Sequence, residues 1–176
     1  RVFNAAVYLE LPVKALVVDV DDLSFCLSKG LSCPAGSVVC GTKEFIASAR
    51  KWRKVVGGGM RQAGVLAACG VVALQTMVQR LAEDHENAYA LARGLAQMPG
   101  MHLDPKAIQT NIVIFKVDGS REEFIQELAK EGVRVTPSGL RGVRMVTHYG
   151  ISRQDTDEAL SRISRVARRR ARVAAM

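Results

Sequence analysis

The sequence has 176 residues, of which 48% are hydrophobic and 24% charged, and its formal net charge is +8. This length allows one ordinary domain, or a small domain with a piece of another, and the composition excludes a disordered chain. The longest apolar stretch, residues 63–78, contains polar residues and is too short for a bilayer span, so we expect no membrane insertion.

The first half of the sequence predicts the end of an α/β layer. In chain order its patterns indicate a helix over residues 1–9, strands over 23–27 and 37–40, and helices over 43–54 and 61–79. Thr42 is a suitable N-cap for the helix that follows it. We expect the last of these helices to be mostly buried, because apolar residues lie nearly all round it.

The second half predicts a small α/β domain. Its patterns indicate an amphipathic helix from about residue 83 that stops before Pro99, a strand over 110–117, a helix over 120–131, short strands over 133–136 and 143–147, and a closing helix over 153–170. Ser120 with Glu123 forms a capping box, and Ser152 caps the closing helix. We therefore expect two units, residues 1–80 and 81–176, the second with three strands and flanking helices.

Six arginines stand close together near the end of the chain: Arg162, Arg165, Arg168, Arg169, Arg170 and Arg172. Such a run can attract nucleic acid or an anionic membrane surface. No aromatic residues are interspersed for base stacking, so we favour the alternative, a solvated and fraying helix end. We predict no nucleic-acid partner.

The cysteines do not suggest a metal site. Cys26, Cys33, Cys40 and Cys69 contain no Cys-x-x-Cys pair, and the histidines are too scattered for metal-ligand spacing. We therefore predict no metal, and buried, reduced thiols in an intracellular protein.

Lys29 is the first candidate for chemistry. It follows an apolar strand, at the strand end where functional residues of α/β sheets collect. A lysine that condenses with a carbonyl must be present partly as the neutral amine, which an apolar environment favours. Gly30, the next residue, would let the backbone approach a ligand closely. From the residues alone, the commoner alternative is a solvated surface lysine.

Two further segments carry candidate binding residues. The glycine run at residues 57–59 precedes Arg61 and a predicted helix, an arrangement that suits an anion, although a flexible linker is an equal alternative. Arg144 lies within an apolar strand and suits capture of a carboxylate, with an exposed edge-strand arginine as its alternative. Strand alternation would put His148 on the same face as Arg144.

Several segments resemble the low-specificity threonine aldolase family, in that family's order and spacing. They are Arg1-Val2-Phe3-Asn4-Ala5-Ala6, Cys26-Leu27-Ser28-Lys29-Gly30-Leu31, Trp52-Arg53-Lys54 with Gly57-Gly58-Gly59-Met60-Arg61-Gln62-Ala63-Gly64, Leu81-Ala82-Glu83-Asp84-His85, Thr110-Asn111, and Arg144-Met145-Val146-Thr147-His148. The resemblance covers nearly the whole chain up to the arginine run. The lysine segment together with the Gly-Gly-Gly-Met-Arg-Gln segment is its most specific part.

The resemblance implies the carboxy-terminal part of a pyridoxal-phosphate (PLP) enzyme with the aspartate-aminotransferase fold, fold type I. Residues 1–80 would end the large PLP-binding domain, and residues 81–176 would form the small α/β domain. Such an enzyme is usually a homotetramer that cleaves a small amino-acid substrate, L-threonine or L-allo-threonine, to glycine and acetaldehyde. We expect a cytosolic location, with a mitochondrial one as the alternative.

The same resemblance assigns roles to single residues. Lys29 matches the lysine that binds PLP covalently, and Arg144 matches the arginine that binds the substrate carboxylate. Arg61 and Lys54 match basic residues that reach a neighbouring subunit's site. The cofactor is thus expected at Lys29, Arg1, Ser28 and Arg61, and the substrate at Arg1, Arg144 and Lys54.

The chain departs from the family pattern beside the lysine. Where the family usually has glycine, this chain has Ser32, so we expect backbone strain there if a positive φ is required. The family's Asp-Gly-Ala stretch, whose aspartate supports the pyridine nitrogen, would precede Arg1. Two alternatives stand beside an active lyase: a degenerate chain that does not bind PLP, and a basic nucleic-acid-binding module.

Overall fold

The computed structural model describes residues 1–174. The chain divides between Leu81 and Ala82 into two compact units, which we call the first unit and the second unit. Both contain helices and antiparallel strands, which confirms the expected mixed α/β class.

The first unit consists of helices around a two-stranded hairpin. Its elements are α1 (Val2–Tyr8), α2 (Val13–Leu16), β1 (Leu23–Cys26), β2 (Ser37–Cys40), α3 (Lys43–Val55) and α4 (Gly64–Thr76). β1 and β2 pair antiparallel, with Leu23 opposite Cys40 and Cys26 opposite Ser37. The two predicted strands and the predicted first helix are therefore present.

The core of the first unit is small. Phe3 of α1 packs edge-on against Phe25 of β1, with 5.1 Å between the ring centroids. The buried members of this core are Leu27, Leu31, Cys33, Ala73 and Leu81. Three of these five belong to the connection between β1 and β2, so this connection supplies much of what the unit buries.

The two long helices of the first unit bury little. α3 begins where predicted, since the Thr42 hydroxyl accepts a hydrogen bond from the Phe45 amide (3.2 Å), but none of its residues is buried. The prediction of a mostly buried helix over residues 61–79 is wrong, because α4 is shorter and buries only Gly70 and Ala73. An apolar helix is buried only where other elements cover it, and the small first unit covers a single stripe of α4.

The second unit is built on a four-stranded antiparallel sheet. Its elements are α5 (Leu81–Leu95, whose first residue belongs to the first unit), β3 (Met101–His102), a 3₁₀ turn (Pro105–Ala107), β4 (Ile112–Val117), α6 (Arg121–Lys130), β5 (Thr136–Ser138), β6 (Gly142–Val146) and α7 (Arg153–Ala174). The strand order is β3-β4-β6-β5, so β6 is an interior strand.

The sheet has four strands where three were predicted. The additional strand, β3, has only two residues, and its Met101 pairs with Val117 of β4. A run of two residues has no measurable alternation of apolar and polar side chains. Its place in the sheet therefore depends on pairing with β4, which the local sequence does not indicate.

The strand predicted over residues 133–136 is displaced to β5. Val133 instead closes α6, because its amide donates a hydrogen bond to the Leu128 carbonyl (2.9 Å) and its side chain is buried in the core. A β-branched apolar residue can thus be buried in the core without belonging to the sheet. For this reason the predicted start of the strand, residue 133, is wrong by about three residues.

The second unit has a continuous apolar core. On β4 the alternation buries Val113 and Phe115, while Ile114 between them is 49% exposed. Phe124 of α6 packs edge-on against Phe115, with 6.2 Å between the ring centroids. The other buried members are Ala88, Leu91, Ala92, Leu95, Met101, Leu128, Val133, Val143, Ile163, Val166 and Ala167. The predicted apolar face of α5 is therefore confirmed.

Both predicted caps in this unit are present. The Ser120 hydroxyl accepts a hydrogen bond from the Glu123 amide (3.2 Å) at the start of α6. The Ser152 hydroxyl accepts one from the Asp155 amide (3.1 Å) at the start of α7. Ser152 also donates from its hydroxyl and its amide to the Asp155 carboxylate, and these bonds lower the pKa of that carboxyl.

The arginine run is solvated as predicted at Arg165, Arg168, Arg169 and Arg172, but it belongs to a continuous helix and not to a fraying end. α7 continues to Ala174, and both Arg165 and Arg169 bond the Glu131 carboxylate at the end of α6. These bonds hold the pKa of Glu131 below its usual range. The expectation of fraying is wrong because α6 ends beside α7 and offers a carboxylate to it, a long-range contact that the local sequence does not show.

Arg170 is the least exposed arginine of the run. Its guanidinium donates to the Glu127 carboxylate (2.9 Å) and lies 5.9 Å from the centroid of the Phe124 ring. It is 22% exposed, whereas Arg168 and Arg172 are exposed side chains.

The cysteines are free. Cys33 is buried, but Cys40 is exposed and the other two are half-buried, so the prediction of buried thiols is wrong for Cys40. Among residues 1–174, no group of three His, Cys, Asp or Glu side chains could hold a metal ion. In the same range no single helix is long and apolar enough to cross a membrane, and α4 and α5 taken together pass that test by length and composition alone.

Candidate active site

Lys29 lies in the connection between β1 and β2, a loop with backbone hydrogen bonds between its own residues. The Leu27 amide donates to the Gly36 carbonyl (3.0 Å), and the Cys33 amide donates to the Leu27 carbonyl (3.2 Å). Ser28 and Lys29 follow the buried Leu27 and are exposed. The lysine amine is therefore accessible at the carboxyl end of β1, on a connection that backbone hydrogen bonds hold in place.

Cys26 and Ser37 share this end of the hairpin with Lys29. Cys26 is the last residue of β1 and lies opposite Ser37. The neighbouring polar side chains of Ser37 and then Lys29 lower the pKa of the Cys26 thiol. The place of Cys26 beside Ser37 was not predicted, because Cys26 was expected to be a structural thiol. The available signal was the spacing of three residues between Cys26 and Lys29.

Arg1 lies close to the same group. It directly precedes α1, whose Phe3 packs edge-on against Phe25, the residue before Cys26. The first unit therefore brings Arg1, Cys26 and Lys29 together at one end of the hairpin.

Gly30 has a packing role within the chain. A Cβ atom at this position would lie 2.8 Å from Leu81 Cδ2 and 3.3 Å from Asn4 Nδ2. The absence of a side chain thus lets the lysine connection pack against α1 and Leu81. Asn4, which is 4% exposed, belongs to the framework of this site, and its contact with the connection was not predicted.

Ser32 confirms the expected backbone strain. Its φ is 59°, in the left-handed region that favours glycine. Its amide donates to the Lys29 carbonyl (2.8 Å), so the strained residue belongs to the turn that carries the lysine. A non-glycine residue in this region costs about 1–2 kcal/mol.

The glycine run ends α3 and does not open α4. The Gly57 amide donates to the Lys54 carbonyl (3.1 Å), and the Gly58 amide donates to the Arg53 carbonyl (2.7 Å). Together with a φ of 82° at Gly57, these bonds form a helix C-cap. The predicted anion site at a helix N-terminus is wrong here, because residues 60–63 separate the run from α4 and the two amides are already bonded.

Lys54 and Arg61 flank this glycine run and are exposed. Within residues 1–174, neither side chain forms a hydrogen bond or an ion pair. No polar contact therefore joins them to Lys29, and their roles toward cofactor and substrate stay predictions.

Arg144 lies on β6, the interior strand next to β4 and β5. It stands opposite Ile114 and Thr136 and is half-buried, so the alternative of an exposed edge-strand arginine is wrong. Arg144, Thr136 and His148 line a cleft of about 490 Å³ in the second unit. His148 Nδ1–H donates to the Tyr149 carbonyl (2.7 Å), which fixes the ring. Arg144 and His148 thus border one cleft, but His148 lies beyond the end of β6, so its place on the same strand face as Arg144 stays a prediction.

A buried polar network fixes the segment that follows Arg144. The Asn111 side-chain amide donates to the Thr147 carbonyl (2.7 Å), and the Thr147 hydroxyl donates to the Asp84 carbonyl (2.6 Å). Asn111 and Thr147 are 2% and 3% exposed. Buried polar groups that are bonded in this way favour a single arrangement, so these residues support the cleft and were not predicted to do so.

Solved structures share this fold. A candidate L-allo-threonine aldolase from Listeria monocytogenes matches with a TM-score of 0.76 over 94% of this chain and 50% of that chain, at 15% identity. Serine palmitoyltransferase from Sphingomonas wittichii matches with a TM-score of 0.70 over 89% of this chain and 42% of that chain, at 21% identity. These likenesses define the class: the fold is that of the PLP-dependent fold type I enzymes.

Residues 1–118 match the family model described as beta-eliminating lyase. The chain belongs to that family. Low-specificity L-threonine aldolase 1 from Arabidopsis thaliana is 41% identical over 92% of this chain and 46% of its own length. The low specificity L-threonine aldolase of Escherichia coli strain K12 is 38% identical over 90% of this chain and 46% of its own length. The chain thus spans about half the length of the curated relatives it matches, and the resemblance found in its sequence is confirmed.

Proposed function

We propose that the protein is a PLP-dependent threonine aldolase that cleaves L-threonine or L-allo-threonine to glycine and acetaldehyde. The identity of about two-fifths to low-specificity L-threonine aldolases supports this substrate class. The observation that carries the proposal is the exposed Lys29 amine, held at the carboxyl end of β1 within the most specific segment of the resemblance.

The residues around Lys29 fit the chemistry of PLP. The aldehyde of this cofactor requires an accessible primary amine, which Lys29 offers. The hydrogen-bonding groups of Cys26 and Ser37 and the positive charge of Arg1 lie at the same end of the hairpin. When bound, PLP supplies an electron-withdrawing ring that stabilises negative charge on the substrate. In our proposal Lys29 holds the cofactor, and Ser28 and Arg1 contact it.

Arg144 would orient the substrate. A guanidinium binds a carboxylate through two parallel hydrogen bonds, and the interior position of Arg144 on β6 limits its freedom of movement. Holding the carboxylate fixes the direction of the bond that breaks, which raises the rate by removing unproductive orientations. We assign Arg1 to the same substrate, Arg61 to the cofactor and Lys54 to the substrate of a neighbouring subunit.

We also propose a homotetramer in the cytosol. Exposed apolar side chains on α3 and α4, among them Trp52 (60% exposed), Val65 (71%) and Val72 (58%), support assembly. The free cysteines support a reducing compartment. Of the six arginines at the chain end, Arg165, Arg169 and Arg170 already bond carboxylates of α6, which argues against a nucleic-acid partner.

Acetaldehyde release tests the function. The full-length protein is incubated with PLP and L-threonine, and acetaldehyde is followed through the NADH that a coupling alcohol dehydrogenase consumes. We expect release by the wild type and by Lys43→Ala, which removes an exposed lysine of the same unit, and none by Lys29→Ala. Wild-type release by Lys29→Ala would show that the lysine assignment is wrong.

A further inference from the structure

The cleft of about 490 Å³ in the second unit carries more positive charge than the proposed function uses. Its charged lining residues are Arg134, Arg144, Arg162, Asp155 and Glu158. Of these, only Arg144 has a role in the proposed function, where it binds the substrate carboxylate. The hydrogen bonds of the other four show which of them are available to a ligand.

Three of the charged lining residues are already bonded within the chain. The Arg162 guanidinium donates to the Glu158 carboxylate (2.7 Å) and to the Glu131 carbonyl (2.9 Å). The Asp155 carboxylate accepts hydrogen bonds from the amide and the hydroxyl of Ser152, at the N-terminus of α7, where the helix dipole favours a negative charge. Arg162 and Glu158 therefore compensate each other, and Asp155 is compensated by the helix that it caps.

Arg134 and Arg144 lack such partners. Within residues 1–174, neither guanidinium forms a hydrogen bond or an ion pair. Arg144 stands opposite Thr136 on β5, and Arg134 comes two residues before Thr136 on the same segment. A guanidinium binds a carboxylate through two parallel hydrogen bonds, and a cleft lined by charge of one sign attracts ligands of the other. The cleft can therefore bind two carboxylates, one at each arginine.

We propose that Arg134 determines substrate specificity, and that the cleft takes β-hydroxy amino acids with a second carboxylate on the side chain. This inference rests on the proposed function, because it names the substrate class for the site that contains Arg144. Arg144 binds the carboxylate next to the amine, and Arg134 binds the carboxylate of the side chain. The simplest member of this class is 3-hydroxyaspartate, which is threonine with its methyl group replaced by a carboxylate.

Cleavage of 3-hydroxyaspartate balances in the same way as cleavage of threonine. The bond between Cα and Cβ breaks, and its electron pair stays with Cα, which gains a proton. The hydroxyl group loses its proton and becomes the carbonyl group of an aldehyde. The products are glycine and glyoxylate, and no oxidant or further reactant is required. The side-chain carboxylate is unchanged by the reaction, so Arg134 acts in binding alone.

Arg141 provides a matched control. Like Arg134 it is an exposed arginine of the second unit, and it lies between β5 and β6. It is not among the described residues that line the cleft. Replacing either arginine with glutamine removes one positive charge, so a nonspecific attraction of anions to the unit would fall equally in the two variants.

The first experiment measures binding without any reaction. Malate has a carboxylate where 3-hydroxybutyrate has a methyl group, and neither acid has the amine of a substrate. Isothermal titration calorimetry of the full-length protein gives the Kd of each acid. We expect malate to bind about tenfold more tightly, the effect of one additional charge-assisted hydrogen bond. Arg134→Gln should abolish this difference and Arg141→Gln should keep it, whereas equal Kd values for the two acids in the wild type overturn the proposal.

The second experiment measures specificity in turnover. The full-length protein with PLP is given L-threonine or 3-hydroxyaspartate, and glycine formation is followed by mass spectrometry to obtain kcat/KM for each. Arg134→Gln is expected to lower the ratio of kcat/KM for 3-hydroxyaspartate to that for L-threonine by about tenfold, through KM. Arg134→Lys, which keeps the charge but not the planar donors, should recover part of the ratio, and Arg141→Gln should match the wild type.

The outcomes separate this inference from the proposed function. A wild type that cleaves L-threonine but not 3-hydroxyaspartate overturns the inference and leaves the proposed function intact. An equal loss on both substrates in Arg134→Gln, in a variant that circular dichroism shows to be folded, overturns the role of Arg134 in specificity. A wild type that cleaves neither substrate overturns the proposed function and this inference with it, even where malate binds at Arg134.

Discussion

In the second unit fourteen buried apolar residues form one core, whereas in the first unit only five do. The first unit instead exposes large apolar side chains on α3 and α4, such as Val55 (65% exposed) and Val65 (71%). Both units are rich in apolar residues, so composition does not separate them. The difference lies in pairing: four strands give the second unit a surface against which helices pack, and a two-stranded hairpin gives the first unit much less. The candidate PLP lysine therefore lies in the unit that the chain itself packs less completely.

A matched pair of phenylalanines gives the largest expected contrast. Phe115 lies in the core of the second unit and is 1% exposed. We expect Phe115→Ala to leave a cavity there and to lower the free energy of unfolding by about 3–5 kcal/mol. Phe45→Ala, on α3 at 38% exposure, should cost less than about 1 kcal/mol, because little contact area is lost. Urea unfolding followed by circular dichroism measures both. Equal losses of unfolding free energy in the two variants would contradict the difference in packing between the units.

Two helical glycines sharpen the contrast. A Cβ atom at Gly94 of α5 would lie 2.5 Å from Leu160 Cδ2, whereas one at Gly64 of α4 would meet nothing within 4 Å. Gly94→Ala is expected to destabilise by about 1–2 kcal/mol, since Leu160 must move within a packed core. Gly64→Ala should stabilise by about 0.5 kcal/mol through helix propensity. Thermal unfolding of the two variants compares them, and stabilisation by both would contradict the packing described for the second unit.

Relief of strain at Ser32 has a smaller expected effect. Ser32→Gly removes the Cβ atom from a residue with φ of 59° and should stabilise the protein by about 1 kcal/mol. Ser28→Gly is the control, because Ser28 lies in the same connection without a positive φ, and it should not stabilise. Urea midpoints distinguish the two, and equal shifts would show that the conformation of Ser32 carries no strain.

The smallest expected effect concerns Glu131. Its pKa is lowered by hydrogen bonds from Arg165 and Arg169, so its ionised form is preferred in the folded state. This contribution is complete above the ordinary pKa of a glutamate and is lost as the pH falls through the lowered value. Glu131→Gln should therefore be less stable than the wild type at neutral pH, and the difference should vanish in acid. A difference that persists in acid, measured by urea unfolding, would exclude the ion pair as its cause.

Local patterns predicted the regular elements well where short-range rules decide them. Thr42, Ser120 and Ser152 cap the helices they were expected to cap, because a cap depends on residues three apart in sequence. The strand before Lys29 was predicted from the local alternation of its apolar side chains, and the strain at Ser32 from the glycine that the resembling family has at that position. The family was identified from short segments, since these keep their order and spacing.

Features that depend on distant contacts were not predicted. The exposure of α4 depends on how few elements cover it, and the interior position of β6, which half-buries Arg144, depends on β5 and β4. The pairing of Cys26 with Ser37 requires the register of the hairpin. The ion pairs of Glu131 likewise join residues more than thirty positions apart. Sequence periodicity reports the face of an element, but it does not report which element covers that face.

The covalent attachment of PLP to Lys29 tests the central claim most directly. The full-length protein is incubated with PLP, reduced with borohydride, digested, and mapped by mass spectrometry. We predict one adduct, on the peptide that contains Lys29, and no adduct on that peptide or elsewhere in Lys29→Ala. An adduct on another lysine, such as Lys43 or Lys54, with Lys29 unmodified would contradict the account.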